Sequence, residues 1–430
     1  LEAWGFEGGG AWGELEAEAV KGVFPDYASA DFAAYLRIVD STNPMHRLWS
    51  DSPWLKYGLA HGCYWRKCAF CDTELEYVAD FARCDVEALM EAAGAAAART
   101  GLSGIHFVDE AMPMASLLEF ARLNRIRAAK EGDSRAFSFW GNVRFDASWT
   151  QDRCELLAAS GLVAVSGGIE IATSRGLEMT DKGFDLKSLV RTLVAMRRAG
   201  LLVHAYLIYG FPGQDATDIV DSAEFCRQLF ASGLVDSAFW HRFVLTRHSR
   251  MYAEWKAGGR PGLVPEDRPW SFANNDLGFE GEADFDVWDE PLASSLAAWM
   301  EGRGLDRPIG AWFRRGAPRP TIGKDLAEAL IGEAEEALDG EGPKEEGTAV
   351  WVGGAPAAVR LGRGRSSLRW AYRGEMKNLE LADRLAEKAA AILGDQGSRL
   401  DGRKFSELRT ELGLGKPQLD ELVSSGLLVV

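Results

Sequence analysis

The chain has no long hydrophobic run, few cysteines, and fewer basic than acidic residues. No stretch approaches the roughly 20 apolar residues that span a bilayer, and no signal-peptide pattern opens the sequence. Six cysteines in 430 residues are too few and too unevenly placed for a secreted disulfide framework. We therefore expect a cytoplasmic protein that does not enter a membrane.

The charge balance is acidic, since 64 Asp and Glu residues outnumber 48 Lys and Arg residues, for a formal net charge of −16. An acidic surface repels phosphate backbones, so the composition argues against nucleic acid as a partner. Hydrophobic residues make up 47% of the chain. At this length we expect two or three domains, or one barrel with additions.

Short apolar runs alternate with amphipathic segments from residue 54 onward. Strands are predicted at 55–60, 104–109, 137–144, 163–170, 202–210 and 238–246. Helices are predicted between them at 85–100, 116–130, 150–160, 185–199 and 215–232. Such alternation implies right-handed crossovers and a parallel sheet. We predict an α/β fold built on a partial, TIM-like (β/α)6 barrel, whose chemistry gathers at the carboxyl ends of the strands.

The alternation ends near residue 251, and this change sets the predicted domains. Residues 1–50, with a weak helix at 30–39, form an N-terminal segment; because the chain opens with Leu1, we expect it to be a remnant of, or a linker to, an upstream domain. Residues 51–255 form the core and 256–340 an extension packed on it. Residues 348–430 form a small α+β domain with strands at 349–352, 358–361 and 368–372, a helix at 379–393, and a winged-helix-like end.

Three of the six cysteines lie within nine positions, directly after the first predicted strand. They are Cys63, Cys68 and Cys71, in the segment HGCYWRKCAFC. Three thiolates in one loop bind zinc or an iron–sulfur cluster. Structural zinc needs a fourth ligand, for which Cys84 and His61 are the candidates. A [4Fe–4S] cluster on three cysteines instead leaves one iron open, which suits a reactive centre at a strand end.

With Phe70 directly before its third cysteine, this loop resembles that of the radical S-adenosylmethionine (SAM) superfamily. The usual spacing there is C-x3-C-x2-C; the spacing here, C-x4-C-x2-C, is similar to a subgroup that often carries a cobalamin-binding domain. The resemblance implies that the cysteines hold a [4Fe–4S] cluster that cleaves SAM reductively. The resulting 5′-deoxyadenosyl radical would abstract hydrogen from an unknown small-molecule or peptide substrate, with flavodoxin or ferredoxin as the electron donor.

The resemblance spans roughly residues 54–252 and continues at the ends of the later strands. It implies that Asp109 or Glu110 contacts the methionine amino group. It further implies ribose or carboxylate contacts after the third strand, a ribose contact after the fourth, and an adenine contact in the Gly-x-Pro-Gly element after the fifth. The residues carried over to these roles are Asn142, Arg144, Gly168, Glu170, Ile208 and Gly210. Helix capping by the two acids, a close backbone approach at the glycines and a simple turn are the alternatives.

His241, Arg242 and His248 follow on or after the sixth strand. Two of the chain's six histidines therefore lie near the carboxyl end of a predicted strand, which indicates substrate contacts or a proton donor. A basic surface segment in an acidic protein is the competing interpretation.

Two other functions stay open. The first is a cobalamin-dependent radical methyltransferase whose corrinoid domain lies outside this chain, since about 50 leading residues are too few for that domain. The second is a zinc-stabilised binding protein with a winged-helix module, whose basic residues are Arg403, Lys404, Arg409 and Lys416.

Overall fold

A computed structural model describes residues 15, 18–19, 21–34, 53–131, 136–268, 275–313, 317–395 and 402–430. Within these ranges a six-stranded parallel sheet forms the core, and its strands lie side by side in chain order. They are β1 (Leu55–Tyr57), β2 (Gly104–Phe107), β3 (Ser138–Val143), β4 (Leu162–Glu170), β5 (Leu202–Tyr209) and β6 (Ser237–Arg242). This arrangement confirms the α/β fold with a partial (β/α)6 barrel.

Helices connect each strand to the next. They are α1 (Val86–Thr100), α2 (Met114–Glu131), α3 (Gln151–Ala159), α4 (Ser174–Thr180), α5 (Leu186–Ala199) and α6 (Ala216–Ala231). Three of these helices begin with a capping side chain: those of Asp85, Thr150 and Asp185 each accept a hydrogen bond from a backbone amide in the first turn. Gly200 ends α5 with a left-handed backbone, φ 80°. Helix α4, between β4 and α5, was not predicted.

The outward-facing side chains of the sheet are buried beneath the helices. Phe107 of β2 packs edge-to-face against Phe120 of α2, with ring centroids 5.0 Å apart, and both are fully buried. Phe139 of β3 completes this cluster, 5.1 Å from Phe120. Burying each such ring stabilises the fold by roughly 1.5–3 kcal/mol. One face of the sheet is therefore covered by the helices, and the opposite face lines the inside of the barrel.

Two predicted strands end at least three residues early in the structure. The first ends at Tyr57 rather than at 60, because the backbone amides of Leu59 and Ala60 donate to the carboxylate of Asp109 instead of to a strand. The sixth ends at Arg242, and the next two residues in strand conformation form β7 (Leu245–Thr246), which pairs antiparallel with a strand of the extension.

The extension after the barrel alternates short strands and helices. After β7 it contains α7 (Arg250–Lys256), β8 (Pro265–Asp267), β9 (Asp276–Phe279), α8 (Asp286–Met300) and α9 (Leu326–Gly340). Helix α9 lies against α5, where Arg197 and Arg198 pair with Glu335 and Asp339 at 3.1 and 2.7 Å. The extension therefore packs on the outside of the barrel.

The C-terminal part is an α+β unit, as predicted. It contains β10 (Thr348–Trp351), β11 (Ala357–Gly362), β12 (Arg365–Tyr372), β13 (Glu375–Ala382), α10 (Asp383–Gly394), β14 (Arg403–Lys404), α11 (Phe405–Leu412), α12 (Lys416–Val423) and β15 (Leu427–Val429). The predicted helix start at 379 is wrong, because residues 379–382 pair with β12. The winged-helix identity of the end stays a prediction.

This unit contacts the barrel at α3. Leu156 of α3 forms a buried cluster with Val350 and Leu428, and the Asp152 carboxylate accepts a 2.8 Å hydrogen bond from the amide of Val429.

Two further expectations concern the N-terminal segment and membranes. Of the predicted helix at 30–39, only a single 3₁₀ turn, Phe32–Ala34, falls within the described residues, and positions 35–52 lie outside them. Among the helices that the structure does describe, none has the length and apolar character needed to cross a bilayer.

Candidate active site

The loop that carries the three cysteines is anchored at the carboxyl end of the sheet. The amide of Ala69 donates to the carbonyl of Thr180, at the end of α4, over 3.0 Å. The carbonyls of Ala69 and Cys71 accept from the amides of Met251 and Arg250, at 2.8 and 3.1 Å. These bonds tie the loop to segments that follow β4 and β6. The thiols therefore lie at the end of the barrel where strand-end chemistry is expected.

The thiols of Cys68 and Cys71 form a hydrogen bond with each other. This bond, reinforced by the nearby ammonium of Lys182, lowers the pKa of Cys68 to about 7. Cys63 is partly exposed, and its amide donates to Val78 over 3.1 Å. Gly62, just before it, has φ +70°, and a Cβ at that position would lie 2.5 Å from the carbonyl oxygen of Asp80. Glycine is thus required for the chain to enter this loop.

A buried ion pair lies beside the cysteine loop. Lys182 Nζ is 2.9 Å from Glu170 Oε1, and both side chains are less than a tenth exposed. Burial alone would lower the pKa of Lys182, but the Glu170 carboxylate raises it above its ordinary value. Gly168 makes the arrangement possible, because a Cβ there would lie 1.7 Å from Glu170 Oε1 and 2.8 Å from Lys182 Nζ.

Arg144 extends from the end of β3 toward the same loop. Its guanidinium carbon lies 4.0 Å from the ring centroid of Trp65, a residue of the cysteine loop. Its Nη2 donates to the carbonyl of Lys182 over 2.7 Å. Its Nε lies 3.6 Å from Asp146 Oδ2. Arg144 is 5% exposed, and its Nη1 has no hydrogen-bond acceptor among the described residues. One buried donor is therefore left for a ligand.

Asp109 and Glu110 end β2 but have different surroundings. The buried Asp109 carboxylate accepts from the amides of Leu59 and Ala60 at 2.8–3.0 Å. Burial raises the pKa of Asp109 to about 6 despite these bonds. Glu110 is exposed at the strand end, and desolvation raises its pKa. Asp109 therefore fixes the segment that leads into the cysteine loop, while Glu110 is open to a ligand.

Both the nitrogen and the oxygen of the Asn142 side-chain amide form hydrogen bonds. Its Nδ2 donates to the carbonyl of Asp109 over 3.1 Å, and its Oδ1 accepts from the hydroxyl of Ser166 over 2.6 Å. Asn142 therefore links the ends of β2, β3 and β4.

The turn after β5 is closed by Gln214. Its Oε1 accepts from the amides of Gly210 and Phe211 at 2.8 and 3.2 Å, and Gly210 has φ +78°. The buried Nε2 of Gln214 lacks an acceptor among the residues described. Ile208 precedes the turn and is 8% exposed. A cavity of about 360 Å³ lies beside this turn.

The three residues predicted after the sixth strand do not come together. His241 is on the inner face of β6, 5.8 Å from the ring of Tyr206. Arg242 points to the extension, where it pairs with Asp286 at 2.6 Å and donates to the carbonyl of Glu282. His248 is exposed near the cysteine loop, 3.9 Å from Glu74.

Sequence reasoning missed Lys182 as a site residue. Lys182 follows α4, a helix that was not predicted, so nothing in its pattern indicated that it lies beside Cys68. The zinc alternative requires Cys84 or His61 as a fourth ligand. Cys84 is buried in the hydrophobic core, and burial raises the pKa of its thiol to about 12.

In the part of the chain that the structure covers, no three His, Cys, Asp or Glu side chains converge on a single metal position. A [4Fe–4S] cluster does not require such convergence, because each cysteine thiolate binds a different iron. The donor set fits the cluster: three soft thiolates lie in one loop beside a buried cation.

Residues 57–226 match the family model described as the Radical SAM superfamily. The uncharacterised protein MK0932 of Methanopyrus kandleri is 45% identical over 51 residues, which are 12% of this chain and 10% of that protein.

Among solved structures, the methyltransferase TsrM of Kitasatospora setae is 17% identical with a TM-score of 0.45, and the match covers 66% of this chain and 61% of that one. The coproporphyrinogen III oxidase HemN of Escherichia coli is 14% identical with a TM-score of 0.37, covering 57% and 53%. The chain thus spans less than two thirds of each relative named here. The match shows that residues 57–226 of this chain form a radical SAM domain, the domain of enzymes that use a [4Fe–4S] cluster and S-adenosylmethionine.

Proposed function

We propose that the chain binds its cluster through Cys63, Cys68 and Cys71 and uses it to cleave SAM reductively, so that a hydrogen is abstracted from a substrate in the barrel. When bound, the cluster supplies one electron to the sulfonium of SAM, which yields methionine and a 5′-deoxyadenosyl radical. The anchoring of the cysteine loop to Thr180 and Met251 is the observation that carries this proposal.

The polar ends of SAM have candidate partners on neighbouring strands. Glu110 is the open carboxylate for the methionine amino group, and the unsatisfied Nη1 of Arg144 suits the methionine carboxylate. Glu170 Oε1 is held by Lys182, which leaves Oε2 for a ribose hydroxyl next to Gly168. Asp109 and Asn142 then act by positioning these groups.

The nucleoside end of SAM would lie at the turn after β5. Ile208 and Gly210 offer an apolar edge and a bare backbone to adenine, and the unsatisfied Nε2 of Gln214 is a nearby donor. Phe70 packs against the site, with Lys182 Nζ 5.8 Å from its ring centroid. His241, on the inner face of β6, is the remaining candidate for contact with the substrate. Arg242 and His248 are candidates only if their present contacts with acidic residues open.

The single-electron donor is a reduced flavodoxin or ferredoxin in this proposal, and the substrate is a small molecule or a peptide. The protein's part is to orient the reactants and exclude water.

Iron and sulfide content of cysteine variants tests the ligand assignment. Changing Cys63, Cys68 or Cys71 to Ala is expected to abolish cluster assembly in anaerobically purified protein, while the matched control Cys84→Ala retains it. Stoichiometric zinc in place of iron, with loss of the metal in Cys84→Ala, would contradict the proposal.

The longer first spacer of the cysteine motif favours a second candidate, cobalamin-dependent methyl transfer, with the corrinoid bound by a segment outside this chain. Cobalamin is a cofactor named with the TsrM structure. Incubation with SAM, reductant and added cobalamin separates the two: 5′-deoxyadenosine alone indicates hydrogen abstraction, whereas S-adenosylhomocysteine with it indicates methyl transfer.

A further inference from the structure

The inner face of the barrel sheet is lined by basic and aromatic side chains. Successive residues of a strand point to opposite faces, so the residues between the buried core positions all face inward. Two large apolar side chains on this face are open to solvent: Phe239 of β6 is 53% exposed and Val108, just after β2, is 52% exposed. Both side chains are therefore free to contact a ligand that enters the barrel.

Lys56 of β1 and His106 of β2 meet at the bottom of this face. They are paired in register, and Lys56 Nζ contacts His106 Nδ1. Desolvation lowers the pKa of His106 to about 3 and also lowers that of Lys56. The neutral imidazole accepts from Lys56 at Nδ1, which leaves its Nε2–H as a donor. No carboxylate of the described residues pairs with Lys56, so its charge is without a counter-ion there.

Aromatic rings flank this basic pair. Trp140 of β3 is paired in register with His106 and is stacked on its ring, with centroids 3.6 Å apart and planes 6° apart. On the same face, beyond β4, the ring of His241 lies 4.6 Å from that of Phe239 and 5.8 Å from that of Tyr206. The strand between the two groups, β4, presents only small inward residues over positions 164–168. The two aromatic groups are thus separated by a strand without bulky inward side chains.

The basic pair lies deeper in the barrel than the proposed SAM site. His106 lies four residues before Glu110, and Trp140 lies two residues before Asn142. Two consecutive residues of a strand span about 7 Å. A ligand held at Lys56 would therefore extend toward the carboxyl ends of the strands, where the radical is formed.

We propose that the inner face binds a planar aromatic carboxylate, whose acid group pairs with Lys56 and His106 and whose ring lies among Trp140, Tyr206 and Phe239. The identification of this ligand as the substrate rests on the proposed function; its binding does not.

Isothermal titration of cluster-loaded protein with three probes tests the ligand class. 2-Naphthoate has both features, 2-naphthamide lacks the charge, and cyclohexanecarboxylate lacks the planar ring. We expect 2-naphthoate to bind at least tenfold more tightly than either of the others. Equal affinities for naphthoate and naphthamide, or no saturable binding of naphthoate, would overturn the proposal.

Substitution of Lys56 locates the charge. Lys56→Met is expected to reduce naphthoate affinity to that of naphthamide, whereas Lys56→Arg keeps most of it. The control Lys324→Met removes a lysine that is 88% exposed and leaves the affinity unchanged. If Lys56→Met binds naphthoate as the unchanged chain does, the assignment of Lys56 is wrong; circular dichroism and the Arg variant exclude misfolding as the cause of a loss.

The same preparations separate this inference from the proposed function. Absence of naphthoate selectivity in protein with full iron content contradicts the ligand class alone. Naphthoate selectivity in protein that binds zinc instead of iron contradicts the proposed function alone.

Discussion

Lys182 Nζ lies 2.9 Å from Glu170 Oε1, and this buried ion pair lies between the end of β4 and the cysteine loop. Glu170 has φ +65°, an uncommon backbone conformation for a residue other than glycine. Strained residues of this kind cluster at functional sites. The pair supplies a fixed positive charge beside Cys68 and a carboxylate toward the proposed ribose site.

Replacing one residue of this pair is expected to lower the free energy of unfolding more than replacing both. Glu170→Leu leaves the Lys182 ammonium buried without a counter-ion, a loss of about 3–5 kcal/mol in the free energy of unfolding. The double variant Glu170→Leu, Lys182→Met restores much of that loss. Urea denaturation measures the coupling, and the exposed pair Lys187–Glu333 serves as a control without measurable coupling. A double variant whose loss equals the sum of the single losses would contradict the ion pair.

Gly168→Ala is expected to displace the Glu170 side chain, because the new Cβ would lie 1.7 Å from Glu170 Oε1. The denaturation midpoint should fall, and SAM affinity should fall with it. Gly332→Ala in α9 is the matched control, since a Cβ there meets nothing within 4 Å and alanine favours a helix over glycine by about 1 kcal/mol. A Gly168→Ala protein as stable as the unchanged chain would refute the close approach.

Arg144→Lys is expected to weaken SAM binding at least tenfold, about 1.4 kcal/mol. Lysine keeps the charge but loses the planar stack on Trp65 and the forked donor set. Anaerobic equilibrium dialysis of SAM against cluster-loaded protein measures the affinity. Arg99→Lys, which changes a surface pair with Asp26, should bind SAM normally. Equal affinity in the Arg144 variant would remove this residue from the site.

The contact between the C-terminal unit and α3 is expected to depend on pH through Asp152. Burial, followed by repulsion from Glu155 and Glu341, raises the pKa of Asp152 to about 6. The folded state holds this proton more tightly than the unfolded chain, whose Asp pKa is about 3.9. The stabilisation contributed by protonated Asp152 is therefore fully present below about pH 4. It is lost as the pH rises through about 6, by at most roughly 3 kcal/mol.

Asp152→Asn removes this titration and keeps an acceptor for the amide of Val429. The difference in unfolding free energy between the two proteins should therefore change between pH 4 and 6 and stay constant above pH 7. A pH-independent difference would show that Asp152 titrates normally. The pKa of Asp109 is also raised to about 6. Asp109 contributes equally to the unfolding free energy of both proteins, so its contribution cancels in the difference.

The alternation of strands and helices could be predicted because apolar periodicity and capping residues such as Asp85 and Asp185 are local. Residues 379–382 at the end of strand β13 were assigned to a helix because Leu379 and Leu381 also fit helical spacing with the residues that follow. Pairing with β12 decided the conformation there, and that contact is not visible in the local pattern.

The candidate site was predictable only where it follows a motif. Cys63, Cys68 and Cys71 lie within one short loop, and Gly168 and Glu170 lie on the same strand. The partners Lys182 and Glu170, or Lys56 and His106, are brought together by loop conformation and strand register. The outward direction of Arg242 likewise follows from the position of the extension, whose acidic residues bind it.

The most direct test of the account is the formation of 5′-deoxyadenosine from SAM under anaerobic conditions with dithionite as reductant. Protein that carries a full [4Fe–4S] cluster is expected to produce it, and variants with Ala at Cys63, Cys68 or Cys71 are expected to produce none. Failure of the fully loaded protein to cleave SAM, or cleavage by a variant that lacks all three cysteines, would contradict the proposed function.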